Sequence, residues 1–223
     1  MGIILNLETA TTNCSVSLAR DGKVLVLKEN NTPNYSHAEQ LHVFISECMA
    51  EAKIALTELN AVAVSKGPGS YTGLRIGVSA AKGLCFSLDV PLISIATLTS
   101  MASQVKGAYD CIIPVLDARR MEVYAAVFNI DLKQIRDTEA KIINEHSFVA
   151  YTENKTVHIL GSGAQKIKDL LHRENVSFST DCVPSSKEMA VLSHQKYLKS
   201  DFEDVAYFEP YYLKDFMLQT KKK

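Results

Sequence analysis

The residues best suited by type and spacing to do chemistry are those of Lys66-Gly67-Pro68-Gly69-Ser70-Tyr71-Thr72-Gly73. An apolar strand over residues 61–65 runs into this segment and a helix is expected over 74–86. A strand, a tight Gly-Pro-Gly turn and a helix N-terminus would gather backbone N–H groups in one spot, which favours an anion. The same glycines serve equally well to permit the turn and close packing. Read as G-x-G-x-x-x-G, the segment is one residue longer than the dinucleotide fingerprint and lacks the Gly-Lys-Ser/Thr ending of a P-loop. Asp89 lies near the ribose-binding spacing but precedes the next strand instead of ending it, so a dinucleotide site fails on context.

Two carboxylates form a second constellation. Glu8 ends the first strand and a turn acid, Asp21, follows 13 residues on; Asp117 ends a later strand and Asp131 follows 14 residues on. At equivalent ends of two strands, Glu8 and Asp117 are the one acid pair with a structural logic for a metal–nucleotide cleft, although a lone acid at a strand end usually caps a turn. His37 and His42 are five apart, about 140° around a helix, so they cannot share a face as the histidines of H-E-x-x-H do. No G-x-S-x-G elbow occurs. Cys14, Cys48, Cys85, Cys111 and Cys182 are scattered, odd in number and contain no C-x-x-C pair, which excludes a zinc ribbon or a disulfide framework.

The elements that must hold these groups can be read in order. Ile3–Glu8 and residues 15–19 and 23–28 read as three antiparallel strands, the last two joined at Asp21-Gly22, a strong hairpin signal. After a polar stretch over 30–35, Ser36-His37-Ala38-Glu39 fits a capping box. The helix it opens carries Leu41, Ile45 and Cys48 on one face, with Phe44, Met49 and Ala52 alongside. The next helix has small residues along one side, Gly73, Gly77, Ala80, Ala81 and Gly83, which would let a neighbouring backbone come close; packing within the chain and a partner helix are both open. Residues 92–95 give a strand and 97–105 a helix. The pattern then restarts: strands over 111–116, 121–128, 133–143 and 156–160, Gly161-Ser162-Gly163, a helix over 164–173 and a last helix over 186–198. Two βββ-α-β-α halves are the simplest account. They divide into residues 1–105 and 106–223, with the last residues packing back on the first half.

Composition narrows the function classes. With 47% hydrophobic residues in a chain of 223, a substantial core is expected and disorder of the bulk is excluded. The 24 Lys and Arg against 25 Asp and Glu give a net charge of −1, which argues against unaided binding of nucleic acid over a wide surface. The N-terminus lacks the basic region and long apolar stretch of a signal peptide. No apolar run approaches the roughly 20 residues of a membrane span. A cytoplasmic protein is expected, and Lys221-Lys222-Lys223 reads as a solvated end.

Four stretches carry a resemblance: Ile4-Leu5-Asn6-Leu7-Glu8-Thr9-Ala10-Thr11, residues 65–77, Asp117-Ala118-Arg119-Arg120-Met121-Glu122-Val123-Tyr124, and Pro210-Tyr211-Tyr212-Leu213. In order and over nearly the whole chain, they resemble the TsaB (YeaZ) family. The resemblance implies an α/β protein of the actin-like, Hsp70-like ATPase fold, with two ribonuclease-H-like lobes. It implies a non-catalytic scaffold in making threonylcarbamoyladenosine (t6A) beside the tRNA anticodon. Its partners would be TsaD, which transfers the threonylcarbamoyl group, the ATPase TsaE, and tRNA through the complex, with a homodimer when the chain is alone.

No cofactor or metal is implied. The first phosphate loop, D-x-G-T-T in nucleotide-binding members, here reads Glu8-Thr9-Ala10-Thr11-Thr12, and the second reads Asp117-Ala118-Arg119-Arg120. A vestigial cleft of Glu8, Thr9, Thr11, Asp117, Gly161 and Gly163 is therefore expected. The family interface implies a four-helix contact made by residues 36–50 and 72–86, through His37, Leu41, Phe44, Ile45, Tyr71, Thr72, Gly73, Ile76, Gly77, Ala80 and Ala81. A Mg-dependent small-molecule kinase or ATPase of the same superfamily, using Glu8 and Asp117, is the competing reading.

Overall fold

Alternation of apolar and small residues builds the first sheet. The computed structural model describes residues 2–33, 36–171 and 173–214. Strands β1 (Ile3–Glu8), β2 (Asn13–Arg20) and β3 (Lys23–Asn31) form an antiparallel meander whose second turn has Asp21 and Gly22 in the left-handed region, as Asp-Gly favours. Helix α1 (His37–Ala52) leads to β4 (Ala61–Gly67), then α2 (Tyr71–Leu88), β5 (Leu92–Ala96) and α3 (Thr97–Ala102). The sheet order is β3-β2-β1-β4-β5, with β4 and β5 parallel to β1.

The second half repeats this topology. Strands β6 (Cys111–Asp117), β7 (Glu122–Phe128) and β8 (Gln134–Ile142) form the meander, and β9 (Val157–Leu160) and β10 (Val176–Ser179) add in parallel beyond β6. Reading from β8, the order is again meander, first strand, fourth, fifth. The internal duplication and the ribonuclease-H-like lobes are thus present. The connecting helices differ: α4 (Val149–Thr152) and α5 (Ala164–Lys168) are a turn or so each, while α6 (Ser186–Leu198) is long.

The final helix of each half crosses to the other half's sheet. Leu5, Leu7, Val62 and Val64 face α1 and α2, whereas Ile4, Ala61, Ala63, Ile93 and Ile95 face Met189 of α6. In return, Leu98, Met101 and Ala102 of α3 pack on Ile112, Leu116, Ala126 and Phe128 of the second sheet. The two crossed helices also touch, so the lobes share an apolar centre. After α6 the chain runs back over the first lobe. Glu203 bridges to Leu92 at the β5 edge, the Tyr211 N–H donates to the Lys66 carbonyl at 2.7 Å, and Tyr212 stacks on Tyr71 with ring centroids 4.8 Å apart. The basic tail at 221–223 lies outside the described residues.

Several elements depart from expectation. β3 continues through Asn30 and Asn31, paired with β2, where a loop is expected. Ser36 caps no N–H: its backbone is not extended, and its hydroxyl donates to Gln40 Oε1, so no capping box forms. α2 starts three residues early because the Ser70 hydroxyl accepts from the Gly73 N–H. α3 is shorter than expected, α5 ends at Lys168 instead of 173, and α4 and β10 have no counterpart in the periodicity. Among the described residues no helix is long and apolar enough to cross a membrane.

Candidate functional site

The first-strand loop is held closed by its own chain. Glu8 is fully buried, and its Oε1 accepts from the Ala10 N–H at 2.7 Å and the Ser65 hydroxyl at 2.8 Å. Burial pushes its carboxyl up to about 7 against these hydrogen bonds, so a large fraction is neutral near pH 7. Its second oxygen is buried without a hydrogen-bond partner. A half-neutral carboxyl sealed from solvent is a poor ligand for a divalent cation. The next residues are clamped as firmly: the Ser70 N–H donates to the Ala10 carbonyl at 2.6 Å, and His37 Nε2–H donates to the Thr11 carbonyl at 2.7 Å.

Gly69, Gly73 and Gly77 are what allow that clamp. A Cβ on Gly69 would collide with the Ala10 carbonyl, one on Gly73 with the Thr9 carbonyl, and one on Gly77 with the Thr9 hydroxyl. The glycine-rich segment therefore receives the Thr9-Ala10 backbone. Of the two uses open from sequence, turn and close packing is the one adopted. The Ser70 N–H at the helix start is spent on Ala10, where an anion contact is one expectation.

The equivalent loop of the second lobe is open. Asp117 is 44% exposed, accepts from the Arg119 N–H at 2.6 Å and pairs with Lys166 Nζ at 2.7 Å. Arg119 and Arg120, at the apex of the β6–β7 hairpin, have φ of 70° and 51°, a region that costs a non-glycine residue about 1–2 kcal/mol. Gly161 and Gly163 are filled from within: Cβ atoms there would strike the Val115 carbonyl and the Val123 side chain. Glu8 and Asp117 thus end equivalent central strands in opposite chemical settings.

The expected interface residues divide by burial. His37, Leu41, Ile45, Gly73, Gly77 and Ala81 are buried within the chain. This corrects the expectation that Gly73 and Gly77 let a partner approach, because Thr9 already fills the space they leave. Phe44, Tyr71, Ile76 and Ala80 are half-buried and Thr72 is exposed. Sequence reading missed the most exposed apolar groups on the pair, Val43 of α1 and Phe86 of α2, the latter 85% exposed. Gly83 lies on the same stretch of α2, and a Cβ there would meet nothing within 4 Å. The signal was available: Phe86 falls one residue off the buried series Leu74, Val78, Ala81, Cys85. Arg75 sits over the Tyr71 ring at 4.2 Å, beside Tyr212.

Other chemistry is weak. Cys14, Cys48, Cys85 and Cys182 are each pushed up to about 11 by burial, away from a nucleophilic thiolate. A cavity of about 300 Å³ lies where residues 104–109 meet β9 and β10. Two of its polar groups are spent internally, His158 between the Ser177 and Ser179 hydroxyls and Gln104 between Cys182 and the Val183 carbonyl.

Known proteins share this pattern. A family model described as TsaD: tRNA N6-adenosine threonylcarbamoyltransferase matches residues 33–222. The Escherichia coli (strain K12) tRNA threonylcarbamoyladenosine biosynthesis protein TsaB is 31% identical over 221 residues, covering 95% of this chain and 94% of that protein. The chain belongs to the TsaB family, within that wider one. The structure of YeaZ from Pseudomonas aeruginosa superposes with a TM-score of 0.82 at 23% identity, over 96% of this chain and all of that one. An activator of 2-hydroxyisocaproyl-CoA dehydratase from Clostridium difficile, solved with bound ADPNP, has a TM-score of 0.50 at 7% identity, covering 90% and 96% of the two chains. The TsaB fold here is thus the actin-like ATPase fold, built from two five-stranded mixed sheets.

Proposed function

We propose that the chain is a non-catalytic scaffold subunit in the cytoplasmic biosynthesis of tRNA threonylcarbamoyladenosine, binding and activating TsaD for threonylcarbamoyl transfer to the adenosine next to the anticodon. TsaE and tRNA join through the complex, and a second copy of the chain takes the same face when TsaD is absent. The chain works as a first lobe of residues 1–105 that docks and a second of 106–223 that braces it.

One observation carries the reading. The first of the two loops that would have to cradle phosphate is occupied by the chain's own Gly69, Gly73 and Gly77 contacts, while α1 and α2 leave Val43, Gly83 and Phe86 uncovered. An active nucleotide enzyme needs the first feature reversed, because backbone N–H groups must reach the phosphates. A helix-pair docking surface needs the second, an aromatic anchor beside a position with no side chain. The names carried by the TsaB relatives support the pathway.

The test is reconstitution. TsaD is supplied with threonylcarbamoyl adenylate and unmodified tRNA, with and without the chain. Modified adenosine should rise when the chain is added, and the chain alone should turn over no ATP. Mg-dependent ATP hydrolysis by the chain alone, lost in Asp117→Asn, would establish the kinase or ATPase reading instead.

A further inference from the structure

We propose that the apex of the β6–β7 hairpin, Arg119 and Arg120 with Met121 and Ile142 beside them, is a contact surface for the phosphate backbone of RNA. The inference deepens the proposed role in tRNA modification and rests on it for the choice of RNA.

The electrostatics are local. Both arginines are exposed, and neither has an acidic partner among the described residues. The two carboxylates closest in the hairpin are already engaged, Asp117 by Lys166 and Glu122 by Lys214. The apex therefore presents two uncompensated guanidinium groups on a chain whose net charge is −1. A guanidinium fork matches the oxygens of a phosphate.

The backbone points the same way. Left-handed φ at both positions would be met with less strain by Asn-Gly. The Asp117 carboxylate holds the turn through the Arg119 N–H, so no guanidinium is needed to shape it. Arginine at these two positions is thus unexplained by folding and suited to an outside anion. Ile142, 71% exposed, pairs with Glu122 across the sheet, and the Met121 carbonyl accepts from the Ile143 N–H. These two apolar groups flank the charges and can cover a ribose or a base face. Lys214, which holds Glu122, ends the segment whose Tyr212 stacks on Tyr71 at the start of α2. RNA held at the apex would therefore lie towards the end of the molecule where α2 begins.

The experiment measures binding of labelled, unmodified tRNA to the full chain, alone and with TsaD, from about 50 to about 200 mM salt. The variants are Arg119→Asn with Arg120→Gly, which removes both charges yet suits the turn, and Arg119→Lys with Arg120→Lys, which keeps them. Thermal unfolding checks that each is folded. The Asn-Gly variant should bind about tenfold more weakly at low salt and flatten the slope of log K against log salt by about 1.5. The Lys variant should keep the slope, and TsaD co-elution should be unchanged in both. Unaltered tRNA affinity and slope in the Asn-Gly variant, or no tRNA binding by the wild-type chain in either form, overturns the proposal while TsaD binding leaves the scaffold role standing. Loss of TsaD co-elution with tRNA binding intact would assign the apex to an acidic protein surface and also overturns it. Arginine-dependent tRNA binding by a chain that does not bind TsaD keeps the RNA surface and removes the scaffold role.

Discussion

The two lobes are built on the same strand order, yet among the described residues only the first has long helices on its outer face. α1 and α2 run to 16 and 18 residues, whereas α4 and α5, at the equivalent positions, have 4 and 5. The contrast continues at the strand ends, where Glu8 is sealed and pushed up to about 7 and Asp117 lies in the open beside Lys166. Under the proposed function, the two copies of the duplicated fold take different roles. In the first lobe the Thr9-Ala10 loop packs against Gly69, Gly73 and Gly77, while Gly83 and Phe86 of α2 stay uncovered. The second lobe, with little helical surface, presents a charged hairpin.

The strongest way to break this comparison is at the glycines of α2, two of which are identical in kind and opposite in setting. Gly73→Ala forces a Cβ into the Thr9 carbonyl and should destabilise the chain by about 3 kcal/mol, lowering Tm by roughly 6 to 12 °C. Gly83→Ala, in open space, should raise stability by up to about 1 kcal/mol through helix propensity. Equal effects in calorimetry would mean that Thr9 does not fill the stripe.

Glu8 provides the next largest effect. Its folded pKa lies above the unfolded value of 4.5, so the native state binds more protons between pH 4.5 and 7. The associated stability is fully present below pH 4.5 and is lost as pH rises through about 7, by roughly 3 kcal/mol at most. Denaturant titrations of Glu8→Gln should show this slope flattened relative to wild type; an unchanged slope would place the titration elsewhere. Asp117→Asn sharpens the contrast from the other side. It removes an exposed ion pair and should change stability by less than about 1 kcal/mol.

Much of this was legible in the residues. Strand alternation, the Asp21-Gly22 turn and the repeat of acid and hairpin announced two equivalent sheets. The glycine-rich segment announced a close approach, but its occupant was hidden, because Ala10 and Thr9 lie some sixty residues away and only the pairing of β1 with β4 brings them together. Burial of His37 was hidden for the same reason: its partner is the Thr11 carbonyl. β10 was missed because Ser177 and Ser179 leave it half-buried with no apolar run, and the short α4 and α5 have too few turns to show a period. The uncovered Phe86 was visible as a break in helical phase but had no meaning until the buried side of α2 was known.

The division of roles is tested most directly on that side chain. Phe86→Asp leaves every buried contact of α2 intact, and burying a Phe on binding contributes about 1.5–3 kcal/mol. Titration calorimetry of TsaD with the variant should show affinity reduced by tenfold or more at unchanged Tm. TsaD binding by folded Phe86→Asp at wild-type affinity would contradict the assignment of the α1–α2 face as the docking surface.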